Sequence, residues 1–344
     1  MSARLAFALP AALEAAVPPE ARGVPRDGVR LMVTHASSGE LLHTTFDRLP
    51  DHLAPGDLLV VNASATIPTA LDAHDGGAAV VLHLSTRLDD GRWVVEPRHR
   101  TPAGSSRWAG PPPAPVLALG ERATATLGAP YLGSTRLFVA ELDLPLPTLQ
   151  WLEVHGRPIR YDYVPREWPL AAYQTVYATE PGSAEMPSAG RPFSEDVLRR
   201  AVDRGVGVSP VVLHTGVASL EADEVPYPER ASVPAWTAAR VNETKAAGGR
   251  VVAVGTTVVR AVETAATVDG TVEPFEGWTD LVAGPDRPTR VVDAMVTGWH
   301  EPETSHLQLL EAVAGREALE RSYAASLEHR YLFHEFGDSH LLLP

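Results

Sequence analysis

Several polar side chains sit where apolar runs end, the places from which a fold can present chemistry. His214 closes Val211-Val212-Leu213, beside Thr215-Gly216, and His300 lies in Thr297-Gly298-Trp299-His300-Glu301-Pro302. Histidine exchanges a proton near neutral pH, so either is a candidate general base; a hydrogen-bonded structural role is the alternative for each. Gly255-Thr256-Thr257 falls between a strand-like run and a helical pattern. Free N–H groups and the helix dipole there favour an anion or an electron-rich ligand edge, with plain N-capping as the alternative. Asn62 ends Leu58-Leu59-Val60-Val61, where open α/β sheets place ligands, or it closes a turn. Asp338, after Gly337, is either a polar contact or a turn cap. The pairs His300/His306 and His334/His340 fit no zinc spacing, so no metal is expected.

A second stretch organises the middle of the chain. Tyr173-Gln174-Thr175-Val176-Tyr177-Ala178 leads into residues 181–194, which are crowded with Ser, Gly and Pro, including Ser188 and Gly190. The composition predicts an irregular loop that bends sharply and then starts a helix, with Ser194 as N-cap. Long loops inside a compact domain are usually functional or disordered, and the aromatic lead-in argues for order.

The elements that must position these groups follow in chain order. Pro10 to Val17 has a short helical pattern, and Arg30–Thr34 with Leu41–Phe46 reads as a hairpin. Leu58–Asn62 is continuously apolar up to its last residue, as in a strand buried on both faces. From 70 to about 150, strand-like runs alternate with Gly and Pro turns, the pattern of a small all-β unit such as a barrel. Within it, Pro111–Pro115 reads as a stiff extended link. From Leu146, helices (195–204, 236–247, 258–266, from 304, and 317–330) alternate with strands (211–214, 250–254, 291–296). That alternation predicts a parallel sheet covered by helices.

The totals narrow the function class. With 344 residues, 44% of them hydrophobic, the chain can build one large or two ordinary domains. The absence of cysteine excludes disulfides, thiolate nucleophiles and Cys-ligated metals. No apolar run approaches the ~20 residues of a membrane-spanning helix. Pro10 and Glu14 interrupt the apolar start, which reads as mature sequence. The net charge of −14 gives no overall help in gripping phosphates and suits a cytoplasmic enzyme of small molecules. No Walker loop, GxGxxG or nucleophile elbow is present, which argues against a nucleotide triphosphatase, a nicotinamide enzyme or a serine hydrolase.

Taken together, the motifs resemble a known family. The YQTVYA run with Pro187-Ser188-Ala189-Gly190 and Phe193-Ser194 is similar to the signature of the S-adenosylmethionine:tRNA ribosyltransferase-isomerases of queuosine biosynthesis. Phe7-Ala8-Leu9-Pro10, Pro55–Asn62, Leu213-His214, Ala253–Thr257 with Arg260 and Glu263, Thr297 with His300 and Pro302, and Phe336–Asp338 fall in the family's order across nearly the whole chain. The resemblance implies a large α/β domain (1–70 and 150–344), with a parallel or mixed, barrel-like sheet, and an inserted β-barrel at 71–149. It implies ribosyl transfer from S-adenosylmethionine, as co-substrate and without a metal, onto the aminomethyl group of a 7-deazaguanine in tRNA, followed by isomerisation. His300 or His214 would be the base. Asn62, Tyr173, Gln174, Thr175, Ser188, Gly190, Gly255, Thr256, Thr257, Arg260 and Asp338 would hold substrate.

The sequence also departs from the family pattern. Two arginines expected after Asn62 are Ala65 and Ala70, a histidine is Pro192, and a third arginine is Leu332. Thr-Asn-Phe-His-Leu-Pro is replaced by Thr297–Pro302, with Glu301 in place of leucine. Alanine and leucine cannot imitate arginine at a phosphate. Two further readings therefore stand beside the first. One is a diverged relative that binds S-adenosylmethionine or a nucleoside and acts on a smaller acceptor; the other is a non-catalytic binding or scaffold protein.

Overall fold

The centre of the molecule is the strand Leu58–Asn62, buried at all five positions. In the computed structural model, which describes residues 4–101, 104–110, 113–120, 122–217 and 226–344, this strand has parallel neighbours on both edges. Leu58 and Val60 pack with Val241, Val258 and Leu310 on one face; Leu59 and Val61 pack with Phe46, Phe193 and Val197 on the other. Two covered faces are why the run is uniformly apolar rather than alternating.

Around it lies a nine-stranded sheet in the order Phe275–Thr279, Glu229–Val233, Gly207–Leu213, Leu58–Asn62, Val251–Val254, Ala294–Gly298, Ser339–Leu343, Arg30–His35, Leu41–Thr45. The sheet is mixed: the four strands from Gly207–Leu213 to Ala294–Gly298 run parallel, and antiparallel pairs flank them. This is the mixed alternative of the expected sheet; the β–α alternation alone, which predicts a parallel one, holds only at the centre. Residues 36–40 join Arg30–His35 to Leu41–Thr45, too short a link for the crossover that a parallel pair needs. Nor does the sheet close into a barrel: among the described residues its end strands, Phe275–Thr279 and Leu41–Thr45, do not pair with each other.

Six further antiparallel strands close into a barrel: Ala70–Asp75, Ala78–Arg87, Trp93–Thr101, Val116–Ala118, Thr124–Pro130 and Phe138–Asp143. The last pairs with Trp93–Thr101 to complete the ring, and Gly104–Arg107 extends it as a hairpin. Trp93 and Val95 point into the barrel core with Leu71, Leu82 and Phe138. Val94, one residue out of phase, packs outward with Val81 against Ile159, Ala184 and Val217. That outer face joins the barrel to the rest of the chain.

Local signals held where no tertiary contact overrode them. Ser194 caps Glu195–Asp203, its hydroxyl accepting from Val197 N–H at 3.2 Å. Pro10–Val17, read as helical, forms only the 3₁₀ turn Ala11–Leu13. The chain then extends because Leu13 C=O and Ala15 N–H both bond to the backbone of Phe333. The strand expected at 291–296 starts at Ala294, because the Glu263 carboxylate accepts from Arg290, Val291 and Val292 N–H and draws them off the ladder. Of the proline link, Pro111 and Pro112 lie outside the described residues.

Candidate active site

The carboxyl ends of the parallel strands Gly207–Leu213, Val251–Val254 and Ala294–Gly298 open onto a cavity of about 480 Å³. This is the edge at which α/β sheets bind ligands. The first strand delivers Thr215 and Gly216, the second Gly255, Thr256 and Thr257, and the third Thr297, Trp299 and His300. Tyr173 and Ser188 arrive from the 173–194 loop, Tyr161 and Tyr163 from the preceding segment, and Val94 and Arg98 from the barrel.

The helix Thr256–Ala265 starts at Gly255, whose φ of 93° is left-handed and whose ideal Cβ would lie 3.3 Å from that of Ala189. It has no side-chain cap and no acidic residue in its first turn, so its N–H groups face the cavity unanswered by a carboxylate. Thr257 Oγ1 also lacks a partner.

His300 bonds through Nε2 to Thr297 Oγ1 at 2.9 Å, and its ring stacks on His306 at 4.6 Å with an interplanar angle of 2°. Burial first, then the neighbouring His306, His334 and His340, hold its pKa well below the usual histidine value. The ring is therefore neutral at neutral pH, the form in which it can accept a proton.

Among the described residues, Tyr173 Oη, Thr257 Oγ1 and Trp299 Nε1 are buried without a hydrogen-bond partner and belong to residues that line this cavity; His334 Nε2, also without one, lies 3.7 Å from Glu14 Oε1. Buried polar atoms are seldom left so, and their presence on the lining of one cavity marks a place for a polar ligand. Both guanidinium groups in the wall are already engaged. Arg98 binds Glu96 at 2.9 Å, and Arg260 binds Glu229 and three backbone carbonyls.

Other expected site residues lie behind the wall. Asn62, 1% exposed, holds Leu213 N–H and C=O and Ser64 N–H, so it welds two strands together. His214 accepts or donates to Ser64 Oγ at 2.7 Å beneath Gly182. Gln174 brackets the backbone of Thr66 through its side-chain amide. Thr175 is buried without lining the cavity. Asp338 binds Arg30 and Leu332 N–H. Arg191, a possible substitute for the missing arginines, is held by Glu20 and Ala172 C=O. Gly190 also lies off the cavity: an ideal Cβ there would meet Tyr177 Oη at 2.0 Å. Gly190→Ala is expected to cost about 1–3 kcal/mol by overpacking, read as a lower midpoint in urea unfolding.

Sequence reasoning missed Tyr161, Tyr163, Glu185, Glu335 and Trp299, which all line the cavity. A usable signal existed in Tyr161-Asp162-Tyr163, an aromatic pair just before a proline. Among the described residues, no cluster of three or more His, Asp or Glu is placed to hold a metal.

Burial also sets the pH response. His83 and His340 are depressed to about 3, and His306 and His334 to about 4, with burial the leading cause in each. Below about pH 6.5 the unfolded chain binds protons that these folded sites refuse. Their stabilising contribution is therefore complete above pH 6.5 and is lost as pH falls towards 4. Each costs about 1.4 kcal/mol per pH unit in that window. Glu301 and Glu335, raised by burial, oppose this as pH falls but are fewer. Thermal melts should show a steadily falling midpoint from pH 6.5 to 4.5; a flat midpoint would contradict the assignment.

A mixed α/β sheet joined to a closed barrel, with a partner-seeking polar cavity at its strand ends, defines an α/β protein with an enzyme-type ligand site. Comparison with known proteins narrows that class. The family model described as queuosine biosynthesis protein matches residues 2–342, and the chain belongs to that family. It is 37% identical to the S-adenosylmethionine:tRNA ribosyltransferase-isomerase of Symbiobacterium thermophilum over 338 residues, covering 93% of this chain and 94% of the relative. The enzyme of the same name from Moorella thermoacetica is 35% identical, with 93% and 94% covered. The crystal structure of an S-adenosylmethionine tRNA ribosyltransferase from Thermotoga maritima aligns with a TM-score of 0.55 and 29% identity, covering 98% of this chain and 99% of that one.

Proposed function

We propose that this chain transfers the ribosyl group of S-adenosylmethionine to the aminomethyl group of a 7-deazaguanine in tRNA and isomerises it to the epoxycyclopentane of the queuosine pathway. The observation that carries the reading is one cavity, built from Tyr173, Ser188, Gly255–Thr257 and Thr297–His300, whose lining residues carry both unpartnered buried polar atoms and the neutral His300. The chemistry needs a base for the acidic proton beside the sulfonium and a site that holds the departing adenine away from water. His300 is the base. Thr256 and Thr257 hold an electron-rich edge of the nucleoside or the methionine carboxylate at the helix N-terminus, and Tyr173 and Ser188 close the opposite wall. His214, Asn62, Gln174, Thr175, Gly190, Arg260 and Asp338 shape the site from behind. Residues 1–70 with 150–344 act as the catalytic unit, and 71–149 as the barrel that walls it. The setting is the cytoplasm; among the described residues no helix is long and apolar enough to cross a membrane.

A smaller acceptor than tRNA is the second reading. It is favoured by the carboxylate partners of both cavity arginines and by the net charge of −14. Calorimetry with S-adenosylmethionine tests what the two readings share. Wild-type protein is expected to bind, and Thr256→Ala to weaken binding by about threefold to tenfold, one hydrogen bond's worth. Absence of binding to well-folded protein would leave neither enzyme reading standing.

A further inference from the structure

One end of the cavity is acidic and aromatic, and of its residues only Tyr173 has a role above. Glu301 and Glu335 both line it, and among the described residues neither forms an ion pair with lysine or arginine. They flank one aromatic stack. Glu301 Oε1 lies 3.9 Å from His334 Nδ1, His334 stacks on Tyr163 at 4.1 Å, and the Tyr163 hydroxyl donates to Glu335 Oε2 at 2.5 Å. Tyr173, 4% exposed, lines the same cavity near enough to feel the Glu335 charge, and its hydroxyl has no partner.

We infer that Glu301 and Glu335, with the hydroxyl of Tyr173, form a receptor for the primary ammonium group of a substrate. Carboxylates supply charge-assisted acceptors, the Tyr173 oxygen supplies a further acceptor, and the Tyr163 hydroxyl and the stack behind it hold Glu335 in place. A phosphate, or a carboxylate with no ammonium beside it, would be repelled at this end. Burial pushes both carboxyls above their usual range, as expected for acids whose cation is not provided by the protein. Two reaction partners carry such a group: the methionyl end of S-adenosylmethionine, and the aminomethyl arm of the acceptor. The inference rests on the proposed function for the identity of these partners, not for the ammonium chemistry.

The test measures dissociation constants for wild type, Glu335→Gln and Glu301→Leu. The probes are S-adenosylmethionine, 5′-methylthioadenosine (which lacks the ammonium), and an anticodon stem-loop carrying either 7-aminomethyl-7-deazaguanine or guanine. Glu301 is half-exposed and Glu335→Gln is isosteric, so both variants are expected to melt near wild type. Selective loss of about tenfold to a hundredfold on the aminomethyl stem-loop supports the receptor and assigns the ammonium to the acceptor. The same loss on S-adenosylmethionine, with methylthioadenosine unchanged, supports it and assigns the ammonium to the donor. If wild type binds the ammonium-bearing probes and both variants match it within twofold, the receptor is overturned while the proposed function stands. If wild type binds none of the probes, both fall.

Discussion

His300→Ala is expected to lower kcat by about 10²–10⁴-fold, the usual loss for a positioned general base, while S-adenosylmethionine binding weakens far less. The argument rests on placement and protonation state. His300 is the histidine that the strand Ala294–Gly298 delivers into the cavity, oriented by Thr297 and by the parallel ring of His306. His214, which sequence reasoning held equal with it, is turned towards Ser64 and does not line the cavity. His214→Ala should therefore cost mainly stability. The depressed pKa of His300 adds a pH signature. A base acts unprotonated, and lowering its pKa extends the unprotonated form to lower pH. The kcat/KM profile should therefore stay flat from pH 8 through 6.5 and fall only further towards acid. A limb centred near 6.5 would point to a different base.

Arg260→Met is expected to be the most destabilising single change in the site region, at about 3–5 kcal/mol. The guanidinium satisfies Glu229 and the carbonyls of Tyr227, Thr279 and Leu281, joining the helix Thr256–Ala265 to the two strands at one edge of the sheet, Glu229–Val233 and Phe275–Thr279. Glu229 in turn accepts from Gly216 N–H at 2.9 Å. Methionine fills the space but strands a largely buried carboxylate and three acceptors. The double variant Arg260→Met/Glu229→Gln should recover part of the loss, because the uncompensated charge goes with it. Urea midpoints of the four proteins close the cycle. Additive losses would mean that the pair is not coupled.

The parts of this molecule that local chemistry controls were legible in the sequence. The uniformly apolar Leu58–Asn62 run announced a strand covered on both faces, and Ser194 announced its helix. Gly255-Thr256-Thr257 and His300 stood out because strand ends carry their chemistry in residue type alone. What stayed hidden depended on partners distant in sequence. Asn62 reads like a site residue at a strand end, but its amide is consumed by Leu213 and Ser64. Asp338 likewise reads as a ligand contact and is spent on Arg30. Tyr163 and Glu335 meet across 172 positions, and no periodicity in either segment announces that contact. The β–α alternation describes the centre of the sheet; of its antiparallel pairs only Arg30–His35 with Leu41–Thr45 is joined by a short connection, and the others bring together segments distant in sequence.

The central claim is best tested by incubating the protein with S-adenosylmethionine and a tRNA carrying 7-aminomethyl-7-deazaguanine at the wobble position, then identifying the modified nucleoside and the released base by mass spectrometry. The account predicts free adenine, free methionine and a nucleoside heavier by the epoxycyclopentane ring, with all three abolished in His300→Ala. Intact tRNA and no adenine, from protein that binds S-adenosylmethionine, would contradict it.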